Sequence, residues 1–182
     1  MARKWILVGV VAVLIVSAVA VVFGGNYFNP KQDIVLPWMF VGAYATYVGQ
    51  IDNSSTPYSI NATMEVTNLN SSYVLVQTNS TIVTPFAPAL SDQTALWISK
   101  GNVSFQPRGE SFAATYITQI AVKGLGLRDC VVYQYTNEAI NATYYVDTQV
   151  LWPLRIVYAT DFENQTYTLE FNLESSNIDG LK

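Results

Sequence analysis

Beyond residue 42 the chain alternates apolar and polar positions with a period of two, and only near its start does it run apolar without a break. In residues 59–67, Ile60, Ala62, Met64 and Val66 share one parity while Ser59, Asn61, Thr63, Glu65 and Thr67 share the other. Residues 166–173 repeat the pattern, with Tyr167, Leu169, Phe171 and Leu173 against Thr166, Thr168, Glu170 and Asn172. Such alternation predicts antiparallel strands with one buried face. Further strands are predicted at 43–50, 73–83, 94–99, 102–106, 127–135, 142–147 and 152–159. Residues 112–122 fit two periods: Phe112, Tyr116, Ile117 and Ile120 suit a short helix, yet the β-branched content suits a strand. Thr84-Pro85-Phe86-Ala87-Pro88 reads as a loop and Gly124-Leu125-Gly126 as a turn. Eight or nine short strands without helical crossovers predict a mainly β domain: an antiparallel wrapped sheet, open barrel or sandwich, with one short helix as an option. No fixed-period repeat runs through it.

The unbroken apolar run extends from Trp5 to Phe23, interrupted only by Gly9 and Ser17. As a helix it would rise about 28 Å, close to the thickness of a bilayer's hydrocarbon core. Arg3 and Lys4 precede it and orient its front end toward the cytoplasm, which delivers the rest of the chain outside. The expected division is a signal anchor or signal peptide at 1–23, a linker at 24–32 and an extracytoplasmic β-domain at 33–182. Ala18-Val19-Ala20 has the small-x-small form of a cleavage site, so a secreted form cut near Ala20 is the alternative to a single-pass anchor. Apolar Val21, Val22 and Phe23 continue past that site and favour retention.

The polar positions carry a second pattern. Asn-x-Ser/Thr occurs seven times, at Asn53, Asn61, Asn70, Asn79, Asn102, Asn141 and Asn164, never with proline between. Thirteen asparagines in a chain of this Ser/Thr content would yield about two by chance. All seven follow the apolar run, on the side where N-glycosylation takes place. Asn61 and Asn141 fall on polar strand faces, while Asn53, Asn70, Asn79 and Asn164 sit in Ser/Thr/Asn clusters that read as hairpin turns.

Composition narrows the chemistry. Beyond Phe23, 7 Lys and Arg stand against 13 Asp and Glu, a net charge of −6 with no basic run, which excludes a nucleic-acid surface. Histidine is absent and Cys130 is the only cysteine, so no imidazole-based triad, histidine metal site or intrachain disulfide exists. Cys130 lies in strand-like Asp129-Cys130-Val131-Val132-Tyr133 and is expected to be a buried, inert thiol. Asp147-Thr148-Gln149 stops short of an aspartic-protease signature and reads as a strand end. Asp161-Phe162-Glu163-Asn164 is too thin for a calcium loop. No cofactor, metal or catalytic group is expected.

Twelve tyrosines remain, and Tyr133, Tyr135, Tyr144 and Tyr145 are the candidate ligand face for a sugar or lipid. Ala142-Thr143-Tyr144-Tyr145-Val146-Asp147, then Leu151-Trp152-Pro153-Leu154-Arg155-Ile156-Val157 and Gln165-Thr166-Tyr167-Thr168-Leu169-Glu170-Phe171 resemble the closing strands of LolA-like wrapped-sheet lipoprotein domains. Val41-Gly42-Ala43-Tyr44-Ala45-Thr46-Tyr47 is similar to the opening strand of secreted archaeal β-domains. That resemblance implies a curved antiparallel sheet with one concave apolar face, which LolA-like domains use to hold lipid. Three roles follow as expectations. The first is a non-enzymatic, glycosylated cell-surface protein that contacts other envelope proteins. The second is an anchored carrier for a lipid or glycan. The third is a filament or pilus subunit that donates residues 26–39 as a strand.

Overall fold

A computed structural model describes residues 35–52, 59–84, 87–99, 113–136, 141–162 and 165–182. Arg3, Lys4, the run from Trp5 to Phe23, the linker, the strand predicted at 102–106, and Asn53, Asn102 and Asn164 lie outside them. Nine strands follow in order: β1 (Tyr44–Asp52), β2 (Ser59–Leu69), β3 (Tyr73–Thr84), β4 (Ala87–Ser99), β5 (Ala113–Val122), β6 (Gly126–Thr136), β7 (Asn141–Asp147), β8 (Pro153–Phe162) and β9 (Gln165–Ser176). All belong to one open antiparallel sheet, ordered β4-β3-β2-β1-β9-β8-β7-β6-β5. The first and last strands therefore pair at the centre, and two meanders run outward to the edges β4 and β5.

Two expectations change. One sheet replaces the two of a sandwich, and the ambiguous stretch is strand from Ala113 onward. No helix occurs among the described residues. The predicted loop at 84–88 shrinks too, because β4 already begins at Ala87. Pro88 is tolerated there since β4 is an edge strand, whose outer side needs no ladder bond.

Alternation places one row of side chains inside. Tyr133, Tyr144, Ile156, Phe171, Gly49, Ile60 and Ile82 stand opposite one another from β6 to β3. Right-handed twist accumulates at about 20–25° per strand, so nine strands coil around this inner face. Gly49 is the gap in the row, and Phe171 fills it. A Cβ at Gly49 would lie 2.8 Å and 2.9 Å from two Phe171 ring carbons and 3.3 Å from Ile60 Cβ.

One end of the sheet is closed by a floor. Leu36 and Trp38 before β1, Val150 and Trp152 between β7 and β8, and Ile178 and Leu181 after β9 are all buried. Trp38 meets Trp152 edge-on at 5.3 Å between ring centroids. The Trp152 indole N–H donates to the Tyr47 hydroxyl at 2.6 Å, and that hydroxyl donates to the Pro153 carbonyl at 2.8 Å. Burial pushes the Tyr47 phenol far above its ordinary value, with the Trp152 bond opposing, so it stays a neutral donor. Because Leu36 and Trp38 are built into this floor, the described part of the 26–39 segment is not a detached strand.

The β5–β6 hairpin departs from the simple pattern. Its tip residue Lys123 forms an ion pair with Glu174 of β9, four strands away in the sheet. With strands about 4.8 Å apart, a flat sheet would separate them by roughly 19 Å. Glu174 has the parity opposite to inward Leu169, Phe171 and Leu173. The tip therefore folds back over the outer face. Burial agrees: Ile120 and Val122 are buried, whereas Ile117 and Leu127, of the other parity, are each 69% exposed.

Candidate functional site

The outer face carries one residue from every strand in a single row: Tyr116, Val132, Tyr145, Arg155, Asn172, Val48, Asn61, Thr81 and Ser91. The row changes character midway. On the β5–β8 side, the Arg155 guanidinium sits over the Tyr145 ring, 5.7 Å from its centroid. Arg155 Nε–H donates to Asn172 Oδ1 at 2.9 Å and lies 3.4 Å from Glu170 Oε1. Burial raises the Tyr145 phenol, and nearby Tyr116 adds to the shift. On the β1–β4 side the row runs from half-buried Val48 to the amide of Asn61 and the hydroxyls of Thr81 and Ser91, which are hydrogen-bonded at 3.2 Å. Glu65 of β2 shares the parity of Asn61 and Thr63 and places a carboxylate on the same face.

Sequon asparagines populate it. Asn61, Asn79 and Asn141 are exposed on strands, each with the parity opposite to buried neighbours. Asn70 is exposed in the β2–β3 turn, where its Oδ1 accepts the backbone N–H of Ser72 at 2.9 Å and of Tyr73 at 2.8 Å. Asn79 corrects one expectation: it lies within β3, because its Thr/Asn/Ser cluster continues the alternation instead of breaking it.

The four candidate tyrosines do not form one face. Tyr133 and Tyr144 point inward and are buried, while neighbouring Tyr145 points outward, since successive residues of a strand face opposite sides. Tyr135 pairs with Ala142 along the backbone, and its side chain lies outside the described set. Inside, the Tyr144 and Tyr158 hydroxyls are 3.1 Å apart and their rings meet edge-on at 6.0 Å. Burial, with Tyr144 adding, holds the Tyr158 phenol well above its ordinary value. These are packing tyrosines.

Cys130 is fully buried, as the strand reading expects. Burial first, then the Asp147 carboxylate, pushes its thiol up to about 12, with Arg128 opposing. The group remains protonated at neutral pH and is no nucleophile. Asp147 ends β7: its Oδ1 accepts the N–H groups of Gln149 and Val150 at 2.9 Å and 2.7 Å, and its Oδ2 pairs with Arg128 at 2.8 Å. That is strand-end chemistry, and it occupies both oxygens. Among the described residues no three His, Cys, Asp or Glu side chains stand where they could hold a metal ion.

One inner feature escaped the sequence reading. Thr78 of β3 and Thr94 of β4 are register partners of inward parity, and among the described residues neither hydroxyl has a hydrogen-bond partner. Thr78 is 2% exposed, and Ser80 beside it is also buried. The signal was available, as polar residues at the inward positions of an alternating strand. It was hidden because the cluster resembled a turn.

No family model matches the chain, and no curated protein matches it in sequence. Among solved structures, the chain is similar to a putative outer membrane lipoprotein-sorting protein domain from Vibrio parahaemolyticus. The two share 11% identity over 78% of this chain and 87% of that one, with a TM-score of 0.26. A DUF1329 family protein from Desulfovibrio piger matches at 11% identity over 75% of this chain and 85% of that one, with a TM-score of 0.24. Neither likeness bears on what the chain does.

Proposed function

We propose that the chain is a membrane-tethered extracytoplasmic domain, N-glycosylated on its outer face, which acts without catalysis by presenting that face to other envelope components. The observation that carries this reading is the placement of the sequons. Asn61, Asn70, Asn79 and Asn141 are all exposed, and none competes with the packed inner face. The tether fits the same picture. The chain enters the described domain at Val35 and passes into the floor through Leu36 and Trp38, and the apolar run at 5–23 precedes that entry in the sequence. A chain without histidine, with its sole thiol buried and protonated, supports a non-catalytic role.

Protease treatment of sealed cells tests the topology. The reading predicts that the domain is removed from intact cells while cytoplasmic markers survive. A domain degraded only after lysis would overturn it.

A second reading, an anchored carrier for a lipid or glycan, is favoured by the Thr78–Thr94 pair. A buried hydroxyl without a partner costs about 1–3 kcal/mol, and a ligand with a polar group on the inner face would recover it. Native mass spectrometry after gentle detergent extraction tests this. A co-purifying mass supports the carrier, and bare polypeptide removes it.

A further inference from the structure

We infer that the folded sheet sorts its own glycosylation sites: among the four described sequons, Asn70 is the acceptor of the folded domain, whereas Asn61, Asn79 and Asn141 accept a glycan only before their strands pair. The inference rests on the glycoprotein reading above and adds to it an order of events. In the transfer, the asparagine Nδ2 attacks the anomeric carbon of an oligosaccharide carried on a lipid diphosphate. The N–C bond forms and the C–O bond to the diphosphate breaks. The amide loses one proton, and the lipid diphosphate leaves with the electron pair. A separate membrane transferase must take the Asn-x-Ser/Thr tripeptide into its own cleft, gripping both the backbone and the hydroxyl. Three residues held there cannot also be the middle of a sheet.

The register makes this concrete. Asn61 stands between Val48 of β1 and Thr81 of β3, and Thr63 between Thr46 and Asn79. Asn79 stands between Thr63 of β2 and Gln93 of β4. Asn141 stands between Thr136 of β6 and Ala159 of β8, and Thr143 between Gln134 and Val157. Each of these tripeptides is paired along both edges. Two of them are also each other's partners: Asn61 faces Thr81 and Thr63 faces Asn79, so withdrawing either sequon unpairs both. The Thr81 hydroxyl is moreover engaged by Ser91.

Asn70 is the opposite case. Asn70, Ser71 and Ser72 are exposed in a turn outside the ladder. The Asn70 carboxamide oxygen is held by the N–H groups of Ser72 and Tyr73, and the Asn70 N–H donates to the Tyr73 carbonyl at 2.9 Å. The first two bonds use the carboxamide oxygen and leave Nδ2 out of them, on a residue that is exposed. The bonds that open when this tripeptide is engaged are those of the turn itself, and the β2–β3 pairing from Leu69 and Val74 onward stays in place.

The test uses the full chain in detergent with a single-subunit oligosaccharyltransferase and a lipid-diphosphate oligosaccharide, and reads occupancy at each sequon by peptide mass spectrometry. A second full chain carries Tyr47→Asp and Trp152→Asp, which remove the floor and leave every sequon intact. Its loss of sheet is checked by far-UV circular dichroism. The expected result is modification of Asn61, Asn70, Asn79 and Asn141 in the unfolded variant, with Asn70 alone among these four keeping its rate in the folded chain. The other three should slow by a factor on the order of a hundred or more, because central strands open only in near-global unfolding. Equal rates at all four in both chains would overturn the sorting and leave the glycoprotein reading standing. Asn70 modified only in the unfolded variant would also overturn it. An unfolded chain that accepts no glycan would remove both.

Discussion

Replacing Gly49 by alanine adds one methyl group to the middle of the central strand pair, where the Phe171 ring already occupies the space. The built Cβ falls 2.8 Å and 2.9 Å from ring carbons, distances that real Cβ atoms essentially never show. Phe171 is buried and meets Tyr158 edge-on at 6.4 Å, so a ring pushed off Gly49 has to shift within a packed core. Two effects oppose each other. Alanine gains about 0.4–1 kcal/mol by restricting the unfolded chain. Overpacking a filled core costs about 1–3 kcal/mol. The clash wins, and the expected net loss is about 1–2 kcal/mol. At about 2–4 °C per kcal/mol for a domain of this size, Gly49→Ala should melt about 2–8 °C lower by circular dichroism. Phe171→Leu makes room for the methyl, so the double variant should lose less than the sum of the single changes, by about 1 kcal/mol. A Gly49→Ala chain that melts at or above the parent would refute the packing of the ring over the glycine.

Other expectations follow from the same geometry. The Cys130 thiol, raised from 9 to about 12, should resist iodoacetamide at pH 8 in the folded chain and react at once in urea. Because its folded value is the higher one, its stabilising contribution is complete below pH 9 and is lost as the pH rises toward 12. Cys130→Ala should therefore flatten the alkaline fall in urea stability across that window, and an unchanged slope would count against a buried thiol. Asp147→Asn keeps an oxygen for the Gln149 and Val150 N–H groups but ends the charge pairing with Arg128. It should cost about 1–3 kcal/mol in urea titration, and Asp147→Ala should cost more. Thr78→Val replaces an unpartnered buried hydroxyl with a methyl of similar shape, and should raise urea stability by about 1 kcal/mol in the ligand-free chain. If it destabilises, the hydroxyl has a partner and the carrier reading loses its support.

Much of the fold was legible because β2 and β9 alternate cleanly, and a period of two has one structural meaning when one face is buried. The lone thiol and the strand-end role of Asp147 were legible for the same reason, since each sits at a defined place in a strand. Residues 112–122 were ambiguous for a physical cause. The β5–β6 hairpin folds back, so it buries Ile120 and Val122 on the face that is outside elsewhere, and a pattern read against one core cannot show a second. Asn79 looked like a turn because Thr78, Asn79 and Ser80 are all polar, although Thr78 and Ser80 are inward. Grouping Tyr144 with Tyr145 overlooked strand parity, which the sequence itself contained. The role of Gly49 was beyond reach, because its ring partner Phe171 lies far along the chain and only the β1–β9 register brings them together.

The placement of glycans on the outer face is the claim on which the surface role depends, and the mass of the native protein tests it most directly. Protein extracted from its source membrane should be heavier than the 20.1 kDa polypeptide by whole glycan increments, with peptide maps placing them on Asn61, Asn70, Asn79 and Asn141. A native chain with all seven sequons bare, whether anchored or cut near Ala20, would contradict the account.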